Sequence, residues 1–255
     1  MRKLPPIVGL NGANEAFQKH ISCPIIFLPG CNMRCPYCLN TDVVLNQPGS
    51  PEYGAAHEYS WDEIRKYLRD NQETHVMISG GEPCLSPDLG NLVDELRELG
   101  MTVGLSTNGC YSDVLDEMVR IHGVEMVAMD VKCDPHNSDS MALLFAKSKD
   151  NPALAAATSN ILDSIKYLNG LTASDRFSVE YRTTMYPPAV LESDIQAIGK
   201  LLSKRSHWVL QQFRARLGLL GGDHINGIKP YDDATIERWE EIAKTYVPSA
   251  ELRWP

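Results

Sequence analysis

Three closely spaced cysteines near the start of the chain are the residues whose pattern most clearly indicates metal chemistry. Cys31, Cys35 and Cys38 form a C-x3-C-x2-C pattern within eight residues. Thiolates spaced in this way can bind one metal centre, but a structural zinc site and a four-iron cluster bound entirely by protein each need four ligands. No further cysteine occurs before Cys84. The set is therefore one ligand short.

A set of three thiolates leaves three interpretations open. The cysteines could hold a four-iron, four-sulfur cluster and leave one iron free for a substrate or cofactor. They could belong to a zinc knuckle, although the nearest histidines, His20 and His57, stand at no recognisable ligand spacing. They could also be three unlinked thiols. The open fourth position favours the cluster.

Length, composition and charge limit the class of protein. The chain has 255 residues, of which 43% are apolar and 22% charged, so it is an ordinary globular protein with enough residues for a sizeable core. Its net charge of -9 argues against a nucleic-acid binder, because neutralising phosphates requires a basic face. We therefore expect a protein or a small molecule as the substrate, and no nucleic-acid partner.

The N-terminal residues and the cysteine content predict the cellular compartment. Residues 1–6 are followed by no apolar signal core, and no apolar run approaches the length needed to cross a membrane. The seven cysteines are odd in number and three are clustered, which indicates metal chemistry in a reducing compartment rather than disulfides. We expect a cytoplasmic protein with no membrane partner.

Strand-like and helix-like segments alternate around the cysteines. The apolar run 24–28 predicts a buried strand that ends directly before the cysteine segment. Further strands are predicted at 75–79, 101–106, 124–131, 177–183 and 208–213. Helices are predicted at 61–71, 87–99, 112–121, 153–168, 191–204 and 232–246. Ser60 with Glu63 predicts a capping box, and Gly100 and Gly170 are predicted helix ends.

This alternation predicts the fold class. Six strand–helix units with short connections imply an α/β fold with a parallel sheet and right-handed crossovers. Eight units of a closed TIM barrel typically take about 250 residues, whereas only six are visible here, with long loops at 39–60, 133–152 and 214–231. We therefore predict a partial (βα)6 barrel of TIM type in a single domain, with a core at about 24–214 and a helical extension at about 215–255.

Polar motifs follow the next three strands, at the ends where ligands bind in such folds. They are Ser79-Gly80-Gly81-Glu82-Pro83, Ser106-Thr107-Asn108-Gly109 and Asp130-Val131-Lys132. Gly80 and Gly81 permit close approach of the backbone to a ligand, and Glu82 offers an acceptor for a cationic amine. Each motif taken singly is equally consistent with an ordinary polar turn.

The motifs together resemble the radical S-adenosylmethionine (SAM) superfamily. The cysteine spacing, with Tyr37 directly before the last cysteine, and the Gly-Gly-Glu-Pro turn carry this resemblance. The other two motifs, with residues 180–184 and 211–214, resemble the activases of glycyl-radical enzymes, including the activators of anaerobic ribonucleotide reductase. The resemblance runs from about residue 24 to residue 214.

The resemblance implies a [4Fe–4S] cluster on Cys31, Cys35 and Cys38 and a pocket for SAM. The residues implied to contact SAM are Tyr37, Ser79, Gly80, Gly81, Glu82, Ser106, Thr107, Asn108, Asp130, Lys132 and Arg182. Within this set, the Gly-Gly-Glu-Pro turn would receive the SAM amino group. Tyr37 would lie against adenine or simply pack in the interior. Arg182 would pair with a carboxylate in bidentate fashion or form a surface salt bridge.

The resemblance also implies a reaction and partners. One electron from a flavodoxin- or ferredoxin-type donor would cleave the C5′–S bond of SAM, giving methionine and a 5′-deoxyadenosyl radical that abstracts hydrogen from a substrate. Because oxygen would destroy the exposed cluster, an anaerobic or microaerobic setting is implied. The implied substrate is the backbone glycine of a partner enzyme. The alternatives are a small molecule or peptide as substrate, or a non-catalytic metal-binding module.

Three features depart from the pattern of the activases. Ser106 stands where those proteins usually have Asp, which bears on a cation site beside the SAM carboxylate. Residues 11–17 replace a segment that contains Gly-Pro-Gly in most activases. Residues 39–60 contain no cysteine, whereas larger activases insert a two-cluster ferredoxin unit at this point. This last departure favours a compact activator without accessory clusters.

Three further cysteines follow the three motifs directly. Cys84, Cys110 and Cys133 each lie just beyond the end of a predicted strand. Cysteine is a small apolar residue, so packing in loop interiors is the plain interpretation. A second cluster and a hydrogen-donating thiol are the alternatives.

Overall fold

A computed structural model describes residues 2–17, 21–46, 57–172 and 177–254 of the chain. Its strands are β1 (Gly9–Phe17), β2 (Ile21–Leu28), β3 (His75–Gly80), β4 (Thr102–Thr107), β5 (Met126–Asp130), β6 (Ser178–Met185), β7 (His207–Gln212) and β8 (Glu251–Arg253). Its helices are α1 (Thr41–Leu45), α2 (Trp61–Asp70), α3 (Leu89–Glu98), α4 (Ser112–Arg120), α5 (Ser138–Phe145), α6 (Pro152–Leu171), α7 (Glu192–Leu201) and α8 (Asp233–Tyr246).

The eight strands are hydrogen-bonded in sequence order, from β1 to β8. β2 pairs in parallel with β3, β3 with β4, β6 with β7, and β7 with β8, while β1 pairs with β2 in the antiparallel direction. Helices separate the parallel strands along the chain, as parallel pairing requires. The predicted fold class, α/β with a partial TIM-type barrel, is confirmed.

Contacts divide the chain into two compact units. The first unit comprises Met1–Asn32, Asn40–Thr107 and Asp113–Ala128. The second unit comprises Met33–Leu39, Asn108–Ser112 and Met129–Pro255. The single-domain organisation expected from the sequence, with its core and extension, stays a prediction.

The first unit is built on the buried middles of β2, β3 and β4. Its helices α2, α3 and α4 each bury one apolar face, which is the pattern of amphipathic helices packed on a sheet. The Ser60 side chain accepts from the Glu63 backbone N–H, and Glu63 accepts from the Ser60 N–H at 2.8 Å, which confirms the predicted capping box. Gly100, just beyond α3, has a φ of +82°, so the predicted helix end is also confirmed.

The second unit has its largest buried side chains on β6 and β7. Tyr181 and Trp208 are both fully buried. The Tyr181 hydroxyl donates to the backbone oxygen of Ile165 on α6 at 3.2 Å, and Trp208 Nε1 donates to Thr183 Oγ1 at 3.1 Å. These two bonds satisfy the only polar groups of the two rings, which allows the rings to pack in an apolar interior.

The structure corrects the sequence prediction at several elements. The predicted loops 39–60 and 133–152 contain α1 and α5, although residues 47–56 lie outside the described part. β1 and β8 were not predicted, so the C-terminal region contains a strand in addition to the predicted helix. The predicted stop at Gly170 is wrong, because α6 continues to Leu171. Glycine costs only about 1 kcal/mol in a helix interior, and Leu168 is fully buried, so burial of the last turn outweighs it.

Candidate functional site

In the first unit, the Gly-Gly-Glu-Pro turn lies directly on the segment that leads into the cysteines. The backbone N–H of Gly81 donates to the oxygen of Leu28 at 3.0 Å, and that of Glu82 donates to the oxygen of Gly30 at 2.8 Å. A Cβ at Gly80 would lie 2.1 Å from the Leu28 oxygen, and one at Gly81 would lie 1.9 Å from the Gly30 oxygen. Both positions therefore require glycine because protein backbone approaches them, whether or not a ligand does.

Glu82 is a buried carboxylate that joins two of the predicted motifs. Its Oε1 accepts from the Cys84 backbone N–H at 3.0 Å and from Thr107 Oγ1 at 2.8 Å. Thr107 ends β4 and is itself buried, with its Oγ1 3.7 Å from Cys84 Sγ. A carboxylate offers about four acceptor positions, so these two bonds do not exhaust it. The end of β4 and the turn after β3 are thus held together by one acidic side chain.

Asn40 adds a third link that the sequence did not predict. Its Nδ2 donates to the backbone oxygen of Gly80 at 3.2 Å. Asn40 follows Cys38 by two residues, so the chain that leaves the cysteine segment is fastened to the turn after β3. An isolated polar residue after the cysteines gave no signal of this role, because the bond depends on the tertiary position of Gly80.

Ser79 and Ser106 occupy equivalent places one residue before the ends of β3 and β4. Both are half-buried, whereas the residues on either side of them are buried. Phe27 on β2 is in register with Ser79, and neighbouring parallel strands present paired residues to the same face of the sheet. The hydroxyl of Ser79 therefore shares a face with Phe27.

In the second unit, the segment that carries Cys35 and Cys38 is held by backbone hydrogen bonds. The Arg34 N–H donates to the oxygen of Leu144 on α5 at 2.8 Å, and the Cys38 N–H donates to the Cys35 oxygen at 3.0 Å. Cys35 is buried, and burial raises the pKa of its thiol to about 11. A bound metal would reverse this, because a coordinated thiol is deprotonated.

Tyr37 packs into a stack of aromatic rings. Its ring centroid lies 4.9 Å from that of Tyr186, and the Tyr186 centroid lies 5.0 Å from that of Phe213. The Tyr37 hydroxyl oxygen is buried without a hydrogen-bond partner among the described residues. Burial raises the pKa of this hydroxyl well above its ordinary value. A buried donor of this kind usually has a partner, so the position is compatible with a polar ligand atom or water.

Three of the residues predicted to contact SAM line one small cavity of the second unit. They are Asn108, Asp130 and Lys132. The other lining residues are Met33, Val131, Cys133, Pro135, Met141, Leu144 and Ile161. The cavity is narrow and open on one side, with room for about one water molecule. Its wall is thus apolar with a few polar groups, as is usual for small-molecule sites.

Asp130 and Lys132 form an ion pair beside this cavity. Lys132 Nζ lies 2.9 Å from Asp130 Oδ2. Burial lowers the pKa of Lys132, but the charge and hydrogen bond of Asp130, with contributions from Tyr37 and Cys35, outweigh burial and raise it well above the ordinary value. Lys132 is therefore a cation held in the interior by its neighbours.

The Thr-Asn-Gly turn is anchored on α6. Asn108 Oδ1 accepts from the Cys110 N–H at 3.0 Å, which closes the turn locally. Ser164 Oγ donates to the Gly109 oxygen and Asn160 Nδ2 to the Cys110 oxygen, each at 2.9 Å. The backbone that presents Asn108 to the cavity is therefore fixed by side chains of a long helix.

Arg182 has a protein carboxylate beside it. Its Nε donates to Glu180, which is fully buried and also binds Arg253 Nη2 at 3.0 Å. Burial raises the pKa of Glu180, but Arg182 and Arg253 outweigh burial and the pKa is lowered. Arg182 is therefore not an exposed cation, and its salt bridge with Glu180 does not lie on the surface. Its predicted pairing with SAM stays a prediction, with Glu180 as a competing partner.

The three remaining motif cysteines are buried thiols in different surroundings. Cys84 lies in the first unit beside Thr107, and Cys110 and Cys133 lie in the second unit. Burial raises the pKa of Cys133, and Asp194 and Asp134 raise it further. Buried environments of this kind agree with the packing interpretation, and the roles considered for the three thiols stay predictions.

The chemistry of the donor set fits a [4Fe–4S] cluster with one open iron, because three thiolates leave the fourth iron without a protein ligand. In the part of the chain that the structure describes, no three His, Cys, Asp or Glu side chains converge where one metal ion could sit. The thiolates of a [4Fe–4S] cluster bind different irons and need not converge in that way. The unpartnered hydroxyl of Tyr37, between two of the three cysteines, lies where a polar cofactor atom could meet it.

Comparisons with known proteins agree with these observations. Residues 25–140 match the profile of the radical SAM superfamily. The chain is 28% identical over 230 residues to a protein of Methanocaldococcus jannaschii whose name, assigned by inference, is glycyl-radical enzyme activating enzyme. The match covers 90% of this chain and 88% of that protein. The chain is 29% identical over 114 residues, 43% of its length and 48% of the relative's, to 7-carboxy-7-deazaguanine synthase of Aquifex aeolicus.

A solved structure shares the fold. SuiB of Streptococcus suis, solved with S-adenosylmethionine bound, aligns with a TM-score of 0.59 and 16% identity over 91% of this chain and 51% of that chain. The chain thus spans about half the length of SuiB. At this identity the likeness concerns the fold alone.

The predicted resemblance to the radical SAM superfamily is confirmed, with a likeness to activating enzymes of glycyl-radical proteins. Residues 25–140 match the radical SAM superfamily, whose enzymes use a [4Fe–4S] cluster and SAM, as predicted. Among the described residues, no helix is long and apolar enough to cross a membrane.

Proposed function

We propose that this chain activates a partner enzyme by generating a glycyl radical on it. With the cluster and SAM bound, one electron breaks the C5′–S bond to give methionine and a 5′-deoxyadenosyl radical, which takes a hydrogen atom from a glycine Cα and becomes 5′-deoxyadenosine. Cys31, Cys35 and Cys38 supply the thiolates for the cluster. The electron comes from a flavodoxin- or ferredoxin-type protein.

One observation carries this proposal. The Gly-Gly-Glu-Pro turn is hydrogen-bonded to the backbone that leads into the cysteines, through Gly81 to Leu28 and Glu82 to Gly30. Within the first unit, the turn and the segment that leads into Cys31 lie more than forty residues apart in sequence and are thereby held together, with Asn40 as a further link. An enzyme that must place SAM against a cluster needs a fixed relation of this kind.

The charged residues of the motifs have complementary roles toward the groups of SAM. Glu82 accepts from the amino group, since it is a buried acceptor beside the cysteine segment. Asp130 and Lys132 present one acceptor and one cation to the ribose and methionyl groups. The apolar wall of the cavity, including Met33 and Leu144, excludes water from the bound molecule.

The likeness to an activating enzyme over 90% of the chain supports glycine as the substrate. The test uses a candidate partner protein produced with glycine deuterated at Cα, incubated without oxygen with the reconstituted enzyme, SAM and dithionite. We expect deuterium in 5′-deoxyadenosine and a glycyl-radical signal in electron paramagnetic resonance. Formation of undeuterated 5′-deoxyadenosine without a protein radical, with every candidate partner, would contradict this function.

A second candidate function is the modification of a small molecule. The 29% identity to 7-carboxy-7-deazaguanine synthase over 114 residues favours it. The departure at residues 11–17 from the activase pattern points the same way. The deuterium experiment separates the two, because a small-molecule substrate leaves the glycine label in the protein.

A further inference from the structure

One exposed segment of the second unit combines positive charge with an apolar side chain. Residues 214–218 follow β7 directly, and all five are exposed. Leu217 is 88% exposed, so the rest of the described chain covers almost none of this apolar side chain. Leu39, next to Cys38, is 52% exposed. A single exposed leucine is common, but Leu39 and Leu217 each lie within three residues of a hydrogen bond that joins this region to the cysteine loop.

The segment is fastened to the cysteine loop at both of its ends. After it, the N–H of Leu220 donates to the Cys38 oxygen at 3.0 Å, and the N–H of Gly221 donates to the Pro36 oxygen at 2.8 Å. Before it, Phe213 begins the aromatic stack that ends at Tyr37. The exposed residues are therefore held within a few residues of two proposed cluster ligands.

The charge of this region opposes that of the chain. Arg214 and Arg216 form no ion pair with any acidic residue that the structure describes. Residues 213–230 contain three cations, the third being Lys229, and one carboxylate, Asp223, in a chain of net charge -9. A local positive patch on an acidic protein attracts an acidic partner at this place on the surface.

We propose that residues 214–218, with Leu39, form the docking surface for an acidic one-electron carrier protein. The inference rests on the proposed function, because the carrier is oxidised by one electron and the cluster on the cysteines receives it. A small patch that is basic with an apolar centre suits a transient electron-transfer encounter, which buries little area and depends on charge for its rate.

The position of the patch favours the carrier over the glycine-bearing partner. A carrier only has to come close to the cluster, and the residues that follow the patch, Leu220 and Gly221, are hydrogen-bonded to the loop of Cys35 and Cys38. A substrate has to reach the C5′ carbon of SAM, so its contacts are expected around the motifs Asn108 and Asp130–Lys132. Nothing in the segment 214–218 contributes to the cavity that those residues line.

Binding tests the surface without any turnover. The probe is a purified acidic flavodoxin, titrated at low ionic strength into the wild-type protein, the variant R214E/R216E and the control K204E/R205E. Lys204 and Arg205 are exposed cations just before β7, so the control makes the same charge change about 20 Å away at the other end of the strand. We expect Kd to rise about tenfold or more for R214E/R216E alone, with the difference shrinking at about 0.5 M salt.

A kinetic comparison distinguishes a failure of this inference from a failure of the proposed function. With flavodoxin as the electron source, R214E/R216E should form 5′-deoxyadenosine about tenfold more slowly than wild type, and the variant Leu217→Ser should also be slower. With dithionite, which needs no docking, all variants should react alike. Equal flavodoxin binding and equal rates in all variants would overturn the docking surface. If R214E/R216E kept the wild-type rate with flavodoxin but no longer formed the glycyl radical on the partner, the patch would belong to the substrate protein. That result would also overturn the docking surface. No product with dithionite in the wild type would instead refute the proposed function.

Discussion

At the scale of single residues, Glu82 is the side chain that joins two of the predicted motifs. It is buried, it caps the turn that follows Pro83 through the Cys84 N–H, and it binds Thr107 at the end of the next strand. The sequence predicted a ligand role for it but not these two internal bonds. The bond to Cys84 is a local cap, whereas propensity and spacing could not reveal the bond to Thr107, because it joins residues 25 positions apart through the fold.

Replacing Glu82 by Gln separates its charge from its hydrogen bonds. The amide oxygen of Gln can still accept from Cys84 and Thr107, so the fold should be retained. Removing the negative charge should weaken SAM binding by about tenfold, because hydrogen bonds to charged groups contribute about 1.5–3 kcal/mol. Titration with SAM and circular dichroism measure the two effects. The exposed Glu58→Gln is the control, and equal SAM affinity in both variants would remove Glu82 from the proposed site.

Gly81→Ala tests whether the turn and the cysteine segment depend on each other. The new Cβ would lie 1.9 Å from the Gly30 oxygen and 3.0 Å from the Cys31 Cβ, so the segment must move. We expect a loss of roughly 1–3 kcal/mol in stability, together with a lower iron content after reconstitution. Gly227→Ala, where nothing lies within 4 Å, is the matched control. If Gly81→Ala weakened SAM binding but left stability and iron unchanged, the backbone contact would not be the reason for this glycine.

At the scale of elements, the sequence predicted the strands and helices with strong patterns and missed the short ones. The run before the cysteines and the capping box at Ser60 gave clear signals, and both are present. α5 has eight residues and β8 has three, which is too short for a periodic pattern to stand out. β1 carries Gly and Asn and is bulged, so its strand character comes from pairing with β2 and not from propensity.

Gly170 provides a test of the one helix end that was predicted wrongly. It lies inside α6, no positive φ is found there, and nothing lies within 4 Å of its Cβ position. Gly170→Ala should therefore raise the free energy of unfolding by about 0.5–1 kcal/mol. Urea denaturation of the two proteins measures this. A destabilised variant would show that the last turn of α6 is not helical in solution.

The ion cluster of Glu180, Arg182 and Arg253, on β6 and β8, gives a prediction for the pH dependence of stability. The folded-state pKa of Glu180 is lowered from its ordinary value of 4.5, because Arg182 and Arg253 outweigh burial. Its contribution is therefore fully present above pH 4.5 and is lost as the pH falls through the lower folded-state pKa. Glu180→Gln should be less stable than wild type at pH 7, and this difference should narrow below pH 4.5. Urea unfolding at several pH values measures it, with the exposed Glu237→Gln as control, and a constant difference would contradict it.

At the scale of the whole molecule, the order of strands and helices predicted the fold class, and the motifs predicted the superfamily. The detailed role of each site residue could not be predicted in this way. The three cysteines and the Gly-Gly-Glu-Pro turn are local patterns, so a sequence displays them fully. Glu180 binds Arg182 of its own strand and Arg253 of β8. The second bond depends on the fold, so the sequence did not reveal the buried ion cluster and Arg182 looked available for a ligand. The overall charge of -9 likewise concealed the basic segment beside the cysteine loop.

The measurement that tests the central claim most directly is the reductive cleavage of SAM. The protein is reconstituted with iron and sulfide without oxygen to about four irons per chain, then mixed with SAM and dithionite. We predict methionine and 5′-deoxyadenosine in equal amounts, retained in the control Cys23→Ala, whose thiol is buried in the core beside Met77, and absent in Cys35→Ala. A fully loaded wild-type protein that forms no 5′-deoxyadenosine, or a Cys35→Ala variant that forms it at the wild-type rate, would contradict the account.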